Sequence, residues 1–176
     1  DLFLILMIRL LKDGGRAGIV LPDGSLTGDG VKMRIRQKLL EDCNLHTIIR
    51  LPNSVFQPYA SVASNLLFFT KGEKTENIWY YEHNLPDDYK AYSKNKPIKL
   101  SDFDELKNWW NNREGNEQAW QVNIETIKAN GYDLDIKNPH QVEEEIQHTS
   151  AELLELLHQS FARSDELLSQ LKKEIN

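Results

Sequence analysis

Two short apolar runs, RAGIVL at residues 16–21 and LHTIIRL at residues 45–51, are each halted by a proline, Pro22 and Pro52. Proline brings no N–H to a ladder, so each marks a strand end. Runs this short and rich in β-branched residues suit strands inside a sheet. Between them Val31, Ile35, Leu39 and Leu40 recur at helical spacing. The chain is thereby constrained to strand, loop, helix, strand, the repeating unit of an α/β fold. The first of these strands is expected to be buried and parallel.

The rest of the pattern extends this unit. Residues 2–12 are apolar on nearly every face and stop at Gly14-Gly15, as a helix packed on a sheet would. Residues 63–70 and 77–81 are rich in β-favouring residues and read as two more strands, the second following a Lys-Gly-Glu-Lys turn. The twelve residues 52–63 join the second strand to the third. Ser101 with Asp104 and Glu105 reads as a helix start, and Asn123 and Gly131 bracket a second short helix. Past Pro139 the charge changes: residues 138–176 hold eight acids and three bases, leaving the preceding part at 19 acids against 18 bases. There Leu154, Leu157, Phe161, Ser164, Leu168, Leu171 and Ile175 alternate spacings of three and four, the seam of an amphipathic helix. A helical hairpin, a terminal docking helix and an intermolecular coil all fit that seam.

Composition narrows the class. The 176 residues are 40% hydrophobic with a formal charge of −6 and a single cysteine, Cys43. Such a length buries roughly 70% of the unfolded chain's surface, and the composition excludes collagen, disordered and disulfide-scaffold classes. No Cys or His pair has zinc-ligand spacing, and the apolar run at residues 2–11, broken by Arg9, is too short to span a bilayer. A cytoplasmic, metal-free protein is expected. The chain opens on Asp1 rather than Met, which suggests a trimmed piece of a longer polypeptide.

The residues with chemical potential have competing readings. Pro22, Gly24, Gly28 and Gly30 form either a phosphate-binding loop or a flexible β-to-α connection; the Gly-Lys-Ser/Thr ending of a P-loop is absent. Lys32, Arg34, Arg36 and Lys38 make either a phosphate-contacting patch or a solvated helix face. Trp79, Tyr80, Tyr81, Trp109, Trp110 and Trp120 are either base-stacking residues or core. Histidines 46, 83, 140, 148 and 158 form no triad, and Glu143, Glu144 and Glu145 read as first-turn acids of a helix.

The ordered series GGRAGIVLPDGSLTGDG, IRQKLLEDCNLHTIIRLPNSVF, SNLLFFTKG and GYDLDIKNP resembles the modification subunit of type I restriction-modification systems, an adenine-specific DNA methyltransferase. The resemblance implies the later half of a doubly wound, Rossmann-like, S-adenosylmethionine-dependent methyltransferase sheet, followed by a helical carboxyl-terminal region. It divides the chain into a distal catalytic part at 1–83, a mixed extension at 84–138 and an amphipathic terminal segment at 139–176. The family's glycine-rich cofactor loop and Asn-Pro-Pro motif are absent from the sequence. The chain alone is therefore expected to be inactive and to bind no cofactor tightly, although the full subunit uses S-adenosylmethionine.

By the same resemblance, Phe56 stacks on a base flipped out of the duplex, in a loop shared with Asn53, Ser54, Gln57 and Tyr59. Asp23, Ser25 and Lys32 lie on the same side, toward DNA or cofactor. Leu154, Leu157, Phe161, Leu168 and Leu171 dock on a partner, the implied partners being DNA, the specificity subunit and the restriction subunit. A non-catalytic interaction module that recruits a partner through the terminal helix is the competing reading. Residues 16–21, left at an open sheet edge, are expected to promote self-association.

Overall fold

A computed structural model of the chain describes residues 2–141 and 150–175. It divides into two units, Asp1–Gln141 and Val142–Asn176. The expected boundary at residue 83 does not coincide with a break, because a strand from the 84–138 segment completes the sheet of the first unit. Glu143, Glu144, Glu145 and His148 lie outside the described residues.

The first unit runs α1 (Leu2–Leu10), β1 (Arg16–Pro22), α2 (Asp23–Leu26), α3 (Val31–Asp42), β2 (Cys43–Leu51), β3 (Ser64–Lys71) and β4 (Asn77–Glu82). A 3-10 turn at Leu100–Phe103 then leads into α4 (Asp104–Asn111), β5 (Ala119–Asn123) and α5 (Ile124–Ala129). The five strands form one sheet in the order β1-β3-β2-β4-β5. β3 pairs antiparallel with both β1 and β2, β4 is parallel to β2, and β5 is antiparallel to β4. β1, β2 and β4 therefore point the same way and end on one rim.

This corrects the expectation for β1. Among the described residues its only strand partner is antiparallel, and it is an edge strand with alternating exposure, Val20 being 50% exposed. Its apolar content reflects one buried face, carried by Leu21 with Ile19 and Ala17, rather than two.

Alternation sorts the core into two layers, as sheet geometry requires. Leu67 and Phe69 of β3, Ile78 and Tyr80 of β4 and Trp120 of β5 pack with Leu4 and Ile8 of α1 and Ile35, Leu39 and Leu40 of α3. On the opposite face, Ile49 and Tyr81 pack with Leu106 and Trp109 of α4. The register of β2 against β3 slips between Leu45 and Thr47, a bulge centred on His46. That extra residue lets Leu45 and Ile48, three apart, reach the same layer. The aromatic alternatives resolve with this packing: Tyr80, Tyr81, Trp109 and Trp120 are buried core residues, with Tyr80 stacked on Trp120 at 5.4 Å between ring centroids.

Arg36 ties the loop after β1 to the rest of the unit. Arg36 is 2% exposed, so it is no part of a solvated helix face. Its guanidinium donates to Thr27 O at 2.7 Å, Gly28 O at 2.6 Å and Tyr132 O at 2.6 Å. Gly28 and Gly30 adopt φ of +88° and +70°, a backbone that L side chains rarely take. The loop thus turns carbonyls inward to cations, the opposite of an amide cradle for phosphate.

The second unit is described by α6 (Ser150–Ile175), a single helix of 26 residues. No hairpin turn interrupts it. Leu154, Leu157, Phe161, Leu168 and Leu171 are all more than half exposed along it.

Removing the Arg36 guanidinium takes away the side-chain donor to three carbonyls. Arg36→Met is expected to lower unfolding stability by about 3 kcal/mol, and Arg36→Lys to recover little because one ammonium cannot span three acceptors. Urea unfolding of the three proteins checks this, and a loss below about 1 kcal/mol for Arg36→Met would contradict it.

Candidate functional site

In open α/β sheets, ligands sit outside the carboxyl ends of the parallel strands. Register identifies that rim here: Pro22 and Leu51 both face Ser64 across β3, and Arg50 faces Glu82 across to β4. A cavity of about 310 Å³ opens on it, with Asp23, Arg50, Asn65, Glu82, His83 and Asn84 among its lining residues. Among the described residues, no cluster of His, Cys, Asp or Glu could hold a metal ion.

Each wall of the cavity is held by tertiary contacts. Asn65, 1% exposed, donates through Nδ2 to Asp23 Oδ1 at 2.6 Å, and the Asp23 N–H donates to Ala63 O at 3.1 Å. Those bonds join the end of β1 to the start of β3. Arg50 pairs with Asp135 Oδ1 at 2.6 Å and donates to Ile136 O at 2.9 Å. Glu82 accepts from Asn138 Nδ2 and Gln141 Nε2, both at 3.0 Å. The segment carrying GYDLDIKNP thus straps back across the rim, also giving Leu134 N–H to Leu26 O at 3.0 Å and accepting Tyr80 OH on Leu134 O at 3.1 Å.

The structure brings some of the expected site residues together and separates others. Asp23 lines the cavity, and the loop carrying Phe56 rises from its edge, since Pro52 and Ala63 at the loop's two stems are also lining residues. Phe56 is 44% exposed, and Asn53, Gln57 and Tyr59 are exposed. Ser54 points inward and is 3% exposed. Ser25, half-buried in α2, and Lys32, which donates to Gly24 O, are outside the cavity. Leu154, Leu157, Phe161, Leu168 and Leu171 belong to the second unit. Sequence reasoning missed Arg50, Asn65, Glu82 and Asn84, polar residues at strand ends whose neighbours are set by register alone.

Beneath the loop lies a buried polar group. His83, 5% exposed, places Nε2 3.0 Å from the hydroxyl of Tyr92, itself 1% exposed, and stacks on Phe103 at 4.7 Å. Burial pushes the Tyr92 hydroxyl up to about 12, aided by Asp102. Burial also holds His83 below the usual imidazole value, against the opposing pull of Asp102 and Glu105, and holds His46 below it with help from Arg113.

Comparisons with known proteins identify the family and the fold. The family model of N-6 DNA Methylase matches residues 2–148. The EcoEI type I restriction enzyme methylase subunit of Escherichia coli is 51% identical over 179 residues, covering 98% of this chain and 36% of the relative. The EcoKI methylase subunit of Escherichia coli K12 is 41% identical over 92 residues, covering 46% of this chain and 17% of that one. A modification subunit from Vibrio vulnificus YJ016 superposes with a TM-score of 0.75 at 44% identity, over 81% of this chain and 32% of its own. A structure from work on assembly and conformational transition of the type I R-M system gives 0.76 at 34% identity, over 99% and 39%. The chain spans about a third of the length of the EcoEI subunit, the Vibrio vulnificus subunit and the R-M system structure.

A histidine with a depressed folded-state pKa takes up its proton more readily once unfolded, so stability falls as pH drops through 6.5 and levels off below the folded value. His83→Gln, which keeps a polar partner for Tyr92 without titrating, is expected to flatten the stability slope between about pH 7 and about pH 5. Chemical unfolding across that range checks it, an unaltered slope removing His83 from the account. The five-stranded open sheet, the strand-end cavity and the match across residues 2–148 place the chain in the N-6 DNA methylase family, alongside the methylase subunits of type I restriction enzymes.

Proposed function

We propose that this chain forms the distal part of the catalytic domain of an adenine-specific DNA methyltransferase subunit in a type I restriction-modification complex. In this reading it contributes the side of the site that receives the target base, together with an assembly helix. The observation that carries the reading is the half-exposed Phe56, on a loop whose stems border the strand-end cavity. A base inside a duplex must be extruded before its amine can react, and an exposed aromatic ring at the rim supplies the stacking surface that holds it. Asn53, Gln57 and Tyr59 extend the same loop toward the nucleotide, and Asp23 faces the cavity below it.

S-adenosylmethionine supplies the methyl group in this reading, bound by the remainder of the longer subunit. The residues present here do not fit that cofactor: the loop after β1 turns the carbonyls of Thr27 and Gly28 to Arg36, and the sequence lacks the family's glycine-rich cofactor loop. No cofactor is expected to bind this chain tightly. DNA, the specificity subunit and the restriction subunit are its partners, in the cytoplasm. The exposed seam of Leu154, Leu157, Phe161, Leu168 and Leu171 supports docking through α6, and the open edge of β1 supports self-association when the rest of the subunit is absent.

Stacking of a base on an aromatic side chain is worth about 1–3 kcal/mol. Phe56→Ala is therefore expected to cut N6-methyladenine at a recurring site in the source genome roughly tenfold or more, with Phe56→Tyr retaining it. Single-molecule sequencing of strains carrying each allele reads this directly, and methylation unaffected by the alanine would refute the stacking role. Separately, Leu157→Asp with Leu168→Asp is expected to abolish co-purification with the specificity subunit. Recovery of an intact complex would remove the docking role from α6.

A further inference from the structure

The loop at residues 53–61 is built almost wholly from local turns. Val55 N–H donates to Pro52 O, Gln57 N–H to Ser54 O, and the N–H groups of Tyr59 and Ala60 to Phe56 O. None of these bonds reaches another element, so by themselves they let the loop swing as a body about its two stems. Ser54 supplies the bond that does reach out. Its Oγ accepts the backbone N–H of Tyr92 at 3.0 Å, across 38 positions of sequence.

Tyr92 lies in the stretch between β4 and the 3-10 turn, which has no helix or strand of its own. A connection of that length in a compact domain is usually functional or ordered by specific contacts. Tyr92 is ordered from both ends: its N–H by Ser54, its hydroxyl by His83 Nε2 at 3.0 Å. His83 in turn is tied to the sheet, its N–H donating to Arg50 O at 2.9 Å and its ring stacked on Phe103. All three side chains are at least 95% buried, where a hydrogen bond is hard to replace with water.

We propose that Ser54, Tyr92 and His83 are positioning residues, a buried polar chain that fixes the Phe56 loop to the end of β4 and so sets where its aromatic ring stands over the cavity. This rests on the reading of Phe56 as the stacking residue for its functional meaning, while the linkage is a property of this chain alone. A displacement of about 1 Å at a reacting centre costs on the order of a hundredfold in rate, so a loop held only by local turns would serve poorly.

Hydrogen exchange on the unmodified chain and three variants tests the linkage without DNA. Ser54→Ala removes the acceptor and is expected to speed exchange of the amides at residues 53–60 tenfold or more. Ser54→Thr, which restores a hydroxyl, is expected to return it to the original rate. Tyr92→Phe keeps the backbone donor but cuts the link to His83, and is expected to give a several-fold rise in the same amides. In every case exchange in β2 and β3 stays unchanged. Loop exchange equal to the parent in both Ser54→Ala and Tyr92→Phe would overturn the proposal, as would a rise spread equally through the sheet. If loop exchange responds while Phe56→Ala leaves genomic methylation intact, the linkage stands and the stacking role alone fails.

Discussion

β3 is hydrogen-bonded on both sides, to β1 along residues Arg16–Pro22 and to β2 along nearly its whole length, and it runs against both. That single antiparallel insertion sets the rest of the molecule. It forces β1 and β2 to point the same way, brings the loop after β1 and the loop after β2 to one rim, and makes the chain re-enter the sheet at Ser64 between them. Asp23 and Asn65 can meet only because of this arrangement, since 42 positions separate them in sequence. With β4 parallel to β2, the cavity forms where three strand ends open together.

Holding that rim in shape falls to a few polar anchors rather than to more apolar area. Arg36 gathers the carbonyls of the loop after β1 and of Tyr132, a residue whose φ of 59° aims its carbonyl inward at the cost of an uncommon backbone. Arg50 and Glu82 fasten the next turns of the same segment through Asp135, Ile136 and Asn138. Each of the three guanidinium nitrogens of Arg36 donates to a backbone oxygen, which ties the loop after β1 to the segment carrying Tyr132. The Ser54, Tyr92 and His83 chain does for the Phe56 loop what Arg36 does for the loop after β1.

Much of the element map was legible in local pattern. Prolines at 22 and 52 coincide with the ends of β1 and β2, Asn123 caps α5 through its side chain on the Glu125 N–H, and the seam of α6 follows its three-four spacing. The misreadings share a cause. β1 reads as buried because Ile19, Val20 and Leu21 are apolar, but apolar content does not say whether one face or two are covered. β5 escaped notice because five residues, Ala119–Asn123, are too few for a period to emerge. Arg36 lies three and four residues before Leu39 and Leu40, on the apolar face, and was misread because its basic character groups it with Lys32, Arg34 and Lys38.

What the sequence determined by itself is whatever short-range sterics and periodicity control: where strands stop, where helices cap, which helix face is apolar, and the ordered motifs through which the chain resembles its family. Tertiary structure decided which strands are neighbours, which face of β1 is covered, and which polar residues converge at the rim. Asn65 meets Asp23, Glu82 meets Asn138 and Ser54 meets Tyr92 across dozens of residues. Such pairs depend on strand order and register, and a one-residue slip would turn every side chain of a strand to the other face. No local feature of the chain encodes that choice; it follows from which arrangement buries both layers of the core at once.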